Sequence, residues 1–186
     1  MRVSALEPIH PANPEESIAD LLEERRQRGP DAPMIEVQGA NGWEPITAAQ
    51  FTDSVYALAK GLIAVGVEHG DRFGIMGRTS EPWTRVDYAL WCIGAAGVPV
   101  YETSSPTQTE WIITNSGMVG AIAEQPSHAE VLRPHLGEKV FVMEHGALEA
   151  LEEKGRSIPD SVLAARRAAV QGSDLAAVIY TSGTTG

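Results

Sequence analysis

The chain has 186 residues, a formal net charge of −11, 43% hydrophobic and 21% charged residues, and a single cysteine. That length suits one domain burying about 70% of the surface its unfolded chain exposes, and the composition argues against wholesale disorder. The acidic balance, without clustered Lys and Arg, argues against nucleic acid as a partner. The lone Cys92 rules out a disulfide within the chain and a cysteine-based metal cluster, and reads as a buried thiol. No apolar run reaches the roughly 20 residues of a membrane-spanning helix, and MRVSALEPIHPANPEE lacks the apolar centre of a signal peptide. The expected compartment is the cytoplasm; peripheral membrane contact and oligomeric state stay open.

In chain order, Pro8, Pro11 and Pro14 give an extended opening. Ser17 to Arg28 reads as a helix with Ile18, Leu21 and Leu22 on one face, ended by Gly29-Pro30. Met34–Val37 and Trp43–Ile46, on either side of Gly39-Ala40-Asn41-Gly42, predict a hairpin that acts as a lid on the core. Thr47-Ala48-Ala49-Gln50 has capping-box spacing, and the helix it opens carries Phe51, Val55, Leu58, Leu62 and Val65 before Gly66. A strand at Arg72–Met76 follows. Ser80 caps a helix over Glu81–Ala96 with Trp83, Val86, Leu90 and Ile93 on one stripe, closed by Gly97. Next come a strand at Val98–Tyr101 and a second capping box, Thr107 to Glu110, opening a short helix that ends at Gly117. Val119–Ala123 is a strand, Ser127–Leu136 a helix broken or bent near Pro134, and Lys139–Met143 a strand. Residues 146–170 predict two surface helices interrupted around Pro159. Trp83, Trp91 and Trp111 read as core.

The last stretch, LAAVIYTSGTTG, places an apolar run, Leu175 to Tyr180, ahead of Thr181, Ser182, Gly183, Thr184, Thr185 and Gly186. The run predicts a buried strand and the remainder a loop. Glycines let backbone N–H groups converge on one concavity, and the four hydroxyls add donors for phosphate oxygens. The spelling fits neither a Walker A loop nor a dinucleotide fingerprint, and composition alone also suits a flexible tail.

Strands separated by helical crossovers imply a layered α/β fold, a mostly parallel sheet with flanking helices. Ligands bind beyond the carboxyl ends of such strands, which selects the loops after Met76, Tyr101, Ala123, Met143 and Tyr180. Tyr101 to Pro106 reads as a polar turn feeding the next helix, and Arg78 as a solvated or ion-paired side chain. The five histidines show no metal-ligand spacing, and no nucleophile triad can be assembled.

TSGTTG after an apolar strand and a tyrosine resembles the ATP phosphate loop of the adenylate-forming superfamily. Pro82 to Gly117, PWTRVDYALWCIGAAGVPVYETSSPTQTEWIITNSG, is similar to bacterial long-chain fatty-acid CoA ligases. The resemblance implies an AMP-forming acid–thiol ligase that uses ATP, Mg2+ and CoA on a fatty acid: the carboxylate attacks the α-phosphorus, pyrophosphate leaves, and CoA thiolate displaces AMP. It implies that residues 181–186 hold the β- and γ-phosphates, with the Thr181 hydroxyl linked to magnesium. It also implies that residues 1–186 are a partial N-terminal AMP-binding domain, cut inside the phosphate loop and without turnover of its own. The alternatives are a related ligase for an aryl, amino or short-chain acid, and a non-catalytic α/β interaction module.

Overall fold

The computed structural model describes residues 16–181. Helix α1 (Ile18–Arg28) opens at Ser17, whose backbone N–H donates to the Asp20 carboxylate at 2.7 Å. Its buried stripe is Ala19 and Leu22, while Ile18 and Leu21 face outward. The expected stripe is thus rotated. Small Ala19 lets the helix sit close, and one turn past Leu22 Arg26 pairs with Asp53 of the next helix at 2.9 Å.

Strands β1 (Pro33–Gly39) and β2 (Gly42–Thr47) form the expected antiparallel hairpin, with Gly39 opposite Gly42. Gly42 adopts φ +124°, which a side chain would resist. The hairpin is a separate two-stranded sheet whose Met34, Ile35 and Ile46 rest on the core. Helix α2 (Ala48–Ala64) begins at the predicted capping box: Gln50 N–H donates to Thr47 Oγ1 at 3.2 Å, and Thr47 N–H to Gln50 Oε1 at 2.9 Å. Phe51, Val55, Leu58 and Leu62 are fully buried, so the four-and-three spacing reports the core face.

The remaining elements alternate: β3 (Arg72–Met76), α3 (Glu81–Cys92), β4 (Ala96–Val100), α4 (Pro106–Ser116), β5 (Gly120–Ala123), α5 (Pro126–Leu136), β6 (Val140–Val142), α6 (Ala147–Gly155) and α7 (Asp160–Ala169). Several boundaries shift by one to four residues from the sequence expectation, and two of the shifts have clear causes. Helix α3 stops at Cys92 because Gly94 takes φ +75° and its carbonyl accepts the Gly70 N–H at 2.8 Å. Gly97, expected as the stop, is a β4 residue paired with Phe73. Helix α4 is capped by Ser105, two residues before Thr107. Gln108 N–H donates to Ser105 Oγ at 3.2 Å, and Pro106 occupies the first turn, where its missing N–H has no partner to lose. Ser105→Ala is therefore expected to lower stability by about 1 kcal/mol in urea unfolding, and Thr107→Ala by under about 0.5.

The sheet order is β4-β3-β5-β6, all parallel, as the crossover pattern requires. The step from β3 to β4 runs one way across the sheet and the steps to β5 and β6 run the other. Right-handed crossovers then place α3 on one face and α4 and α5 on the opposite face. The two core clusters match this division. Phe73, Ile75 and Ile122 pack with Phe51, Leu90, Leu151 and Leu163 of α2, α3, α6 and α7. Met76, Ala121, Ala123, Val98 and Val140 pack with Ile112, Ile113, Ala129 and Leu132 of α4 and α5. Adjacent residues of one strand serve opposite clusters, the period of two expected for a sheet covered on both sides.

Helix α6 is no surface element. Leu148 and Leu151 are buried, and its backbone lies directly on α2. The predicted strand Leu175–Tyr180 contracts to one parallel bridge, Ala177 to Gly97, at the free edge of β4. Leu175 and Ile179 are 64% and 67% exposed. At an edge only one row of backbone groups meets a neighbour, and among the described residues nothing covers the other row.

Candidate functional site

Neighbouring parallel strands whose connections leave on opposite faces open a crevice at their carboxyl ends. Here β3 turns toward α3, while β4 and β5 on either side of it turn toward α4 and α5. A polar cleft of about 640 Å³ lies at this place. Its walls are Arg78 after β3, Glu102, Thr103 and Ser104 after β4, and Gln125, Ser127 and His128 after β5. Each comes from a loop or first helical turn immediately beyond a strand end, so the sheet register fixes the spacing of the walls.

Glu124, the first residue after β5, ties the exits of β3 and β5 together. The Arg78 backbone N–H donates to its Oε2 at 2.8 Å, and the Arg78 guanidinium donates to Oε1 at 3.2 and 3.0 Å. Burial alone would raise the Glu124 pKa, but the Arg78 hydrogen bonds and charge outweigh it and hold the carboxyl below its usual range. The same pair raises Arg78. Gly77 makes the contact possible, since a Cβ there would stand 2.6 Å from that of Glu124. Arg78 is thus the ion-paired side chain the sequence suggested, although the partner lies 46 residues away.

His128 sits in the first turn of α5 and is 94% buried, being 6% exposed. Its Nε2 lies 3.0 Å from the Gln125 side-chain amide, and its Nδ1 has no partner among the described residues. Sequence reading passed over it because a histidine alone at a helix start carries no motif, and nothing in spacing tells which helices flank a crevice. Elsewhere, burial pushes the Cys92 thiol up to about 12, which makes it unreactive. Among the described residues no group of three His, Cys, Asp or Glu could hold a metal ion.

Of the six predicted loop residues, Thr181 is described and is exposed; Ser182, Gly183, Thr184, Thr185 and Gly186 lie outside the described residues. The segment before them runs parallel to β4 at one bridge, with Ala177 level with Gly97. Tyr180 belongs to no ladder. Side chains hold it instead: its hydroxyl donates to Asn115 Oδ1 at 2.7 Å, and its ring meets Trp111 edge-on at 5.2 Å. Trp111, expected in the core, is 52% exposed.

A family model described as AMP-binding enzyme matches residues 22–186. The long-chain-fatty-acid–CoA ligases FadD15 of Mycobacterium bovis and Mycobacterium tuberculosis are each 36% identical over 179 residues, covering 92% of this chain and 30% of theirs. The chain therefore spans about a third of the length of these relatives. Among solved structures, VinN in complex with 3-methylaspartate superposes with a TM-score of 0.73 at 25% identity, over 93% of this chain and 46% of VinN. A long-chain-fatty-acid–CoA ligase, FadD1 of Archaeoglobus fulgidus, gives 0.72 at 20% identity, over 93% and 36%, a likeness of fold. A parallel sheet with a crevice at its carboxyl edge and a family match over residues 22–186 agree, and the chain belongs to the AMP-binding enzyme family.

Proposed function

We propose that this chain is the N-terminal part of an AMP-forming acid–thiol ligase that joins a long-chain fatty acid to CoA at the expense of ATP, acting in the cytoplasm. The observation that carries this reading is the AMP-binding family match over residues 22–186, which takes in the hydroxyl- and glycine-rich run 181–186. The identity to FadD15 points to the acid. Residue types support the rest. Four hydroxyls and the backbone N–H groups of residues 181–186, with no cation among them, suit a polyphosphate whose charge is balanced by magnesium. Thr181 is the hydroxyl assigned to the magnesium side.

In this reading the contribution of the loop is electrostatic. Its donors, oriented in advance, hold the departing phosphates where negative charge develops, which is positioning without a covalent step. Residues 1–186 supply this cradle and do not turn over alone. No helix among the described residues is long and apolar enough to cross a membrane.

The test is an AMP-release assay on the protein from the complete reading frame, with ATP, magnesium, CoA and one of palmitate, ferulate or aspartate. Palmitate-dependent AMP and palmitoyl-CoA are expected. AMP with aspartate alone would move the protein toward the substrates bound by VinN, and AMP with none of the acids would favour an interaction module. Residues 1–186 by themselves are expected to release no AMP, and turnover by them would overturn their assignment as an incomplete domain.

A further inference from the structure

Strand β6 closes the sheet on the side away from β4, and among the described residues no strand pairs with its outer side. Its side chains divide between the two faces. Phe141 packs with the core cluster that includes Leu148 and Leu151 of α6, whereas Val140 and Val142 pack with Ala129 and Leu132 of α5. A largely apolar pocket of about 210 Å³ touches both layers, being lined by Phe141 and Val142, by Arg133 of α5, and by Leu151 and Lys154 of α6. Because α5 and α6 cover opposite faces, one cavity reaches both only past the rim of the sheet. Arg133 comes from the last helical turn before β6, and His145, also on the wall, from the turn after it, so the pocket runs along the strand.

The charge on its walls is of one sign. The chain as a whole carries −11, yet no carboxylate lines this pocket. Elsewhere the cations are engaged: Arg26 with Asp53, Lys60 with Asp160, Arg85 with Glu152, Arg166 with Glu68, and Arg72 with the Ser116 carbonyl. Among the described residues Arg133 and Lys154 meet no carboxylate or carbonyl, and neither does Lys139, the residue before β6. Arg133 and Lys154 stand in the last turns of their helices, where the dipole favours a positive charge. That accounts for a cation at each place and leaves its lack of a counter-ion, on an acidic protein, unexplained.

An open strand edge, an apolar slot beside it and unpaired cations on both lips select one kind of occupant. We infer that β6 is a docking edge for an extended acidic peptide segment, which adds to the sheet as a further strand, drops an apolar side chain into the slot and sets carboxylates against Arg133 and Lys154. Pairing with an edge requires an extended chain, and the period of two in such a chain lets alternate side chains meet the slot while the others point away. A second copy pairing edge to edge would bring Arg133 and Lys154 against their own counterparts, and that repulsion excludes it as the occupant. Since β6 has only 3 residues, the backbone offers few hydrogen bonds, and the charges carry the selectivity. The inference does not depend on the reaction proposed above.

The experiment uses the protein from the complete reading frame and a fluorescein-labelled hexapeptide, Glu-Val-Glu-Leu-Glu-Val, followed by anisotropy and by amide hydrogen exchange over residues 140–142. A counterpart with lysine for each glutamate keeps the apolar side chains, and an N-methylated glutamate peptide keeps every side chain but cannot pair as a strand. The glutamate peptide is expected to bind at least about tenfold more tightly than either at low salt, and to slow exchange within Val140–Val142. In the protein carrying Arg133→Glu and Lys154→Glu the preference should invert toward the lysine peptide, which damaged packing would not produce. Equal affinity for the two charge types, undiminished binding of the N-methylated peptide, or no binding at all would overturn the inference. If the double variant does not fold, Lys154→Ala, a truncation at an exposed site, decides: about threefold weaker binding of the glutamate peptide is expected, and unchanged affinity would overturn the assignment of the lips.

Discussion

Gly61→Leu is expected to abolish folding, and even Gly61→Ala to cost about 2 to 3 kcal/mol. A Cβ at Gly61 would stand 2.3 Å from the Leu151 carbonyl oxygen and 2.5 Å from its carbon; one at Gly155 would stand 2.6 Å from Gly61 N and 2.9 Å from Ala57 O. Every obstacle named there is backbone, which cannot rotate aside as a side chain can. A methyl at either position must push α2 and α6 apart, and Leu58, Leu62, Leu148 and Leu151 around that seam are all buried. Two effects oppose each other. Alanine gains up to about 1 kcal/mol of helix propensity over glycine, whereas overpacking typically costs about 1 to 3 kcal/mol and separating a buried seam costs more. Packing wins because the clash is with main chain. Leucine adds three further carbons to the same gap, and total stabilities of about 5 to 15 kcal/mol leave little room for that. Urea unfolding of Gly61→Ala gives the magnitude, and a variant as stable as wild type would show that the helices are not in backbone contact.

Asp87→Asn should make the protein more stable at pH 8 and remove most of the dependence of its stability on pH between 5 and 8. Asp87 lies in α3 against β4, 8% exposed, with Oδ1 lacking a partner among the described residues. A Cβ at Gly97 would come within 2.4 Å of that oxygen, so the carboxyl is seated directly on the β4 backbone. Burial, with no cation to offset it, raises its pKa from 3.8 to about 7. The folded state then holds a proton that the unfolded chain has released, over the window from about 4 to about 7. Stability is greatest below pH 4 as far as this group is concerned, falls as pH rises through 7, and levels off above. Three units correspond to about 4 kcal/mol as a ceiling, and relaxation around the charge reduces this to about 1 to 3. Asparagine keeps the shape without the charge. Urea midpoints at pH 5, 6.5 and 8 for both proteins check it, and an Asn variant less stable than wild type at pH 8 would mean that the carboxylate has an ionic partner in solution.

Where one helix or one turn decided the outcome, the sequence was a sufficient guide. The α2 stripe, the Thr47 box and the Gly39–Gly42 hairpin depend on residues close in sequence, and they stand as read except that Val65, counted in the stripe, follows the end of α2 and is half-buried. Errors gathered where neighbours distant in sequence decide. Ile18 and Leu21 lost their places in the core because the position of α2 selects the face of α1. Residues 147–155, rich in Glu and Ala, looked like a surface helix because a glycine seam with α2 leaves no hydrophobic signature. Thr107 and Ser105 both had capping chemistry, and Pro106 decided between them.

The site divides in the same way. That the loops after Met76, Tyr101 and Ala123 would face a common site was legible from the rule for parallel strands. The crevice was not, because it depends on β4 and β5 lying on either side of β3, and crossover lengths do not reveal which neighbour a strand chooses. Nor could spacing show that Glu124 would reach back to Arg78, or that Tyr180 would leave its ladder for Trp111 and Asn115.

The distribution of the sheet along the chain has a consequence for biosynthesis. Its four ladder-forming strands lie between Arg72 and Val142, and the last helix on their surface closes at Ala169. As the polypeptide leaves the ribosome, these four strands and the helices on them have been made before the Thr/Ser/Gly run is translated. N-terminal units generally fold first during synthesis, so the nascent chain can pair these four strands before the Thr/Ser/Gly run emerges.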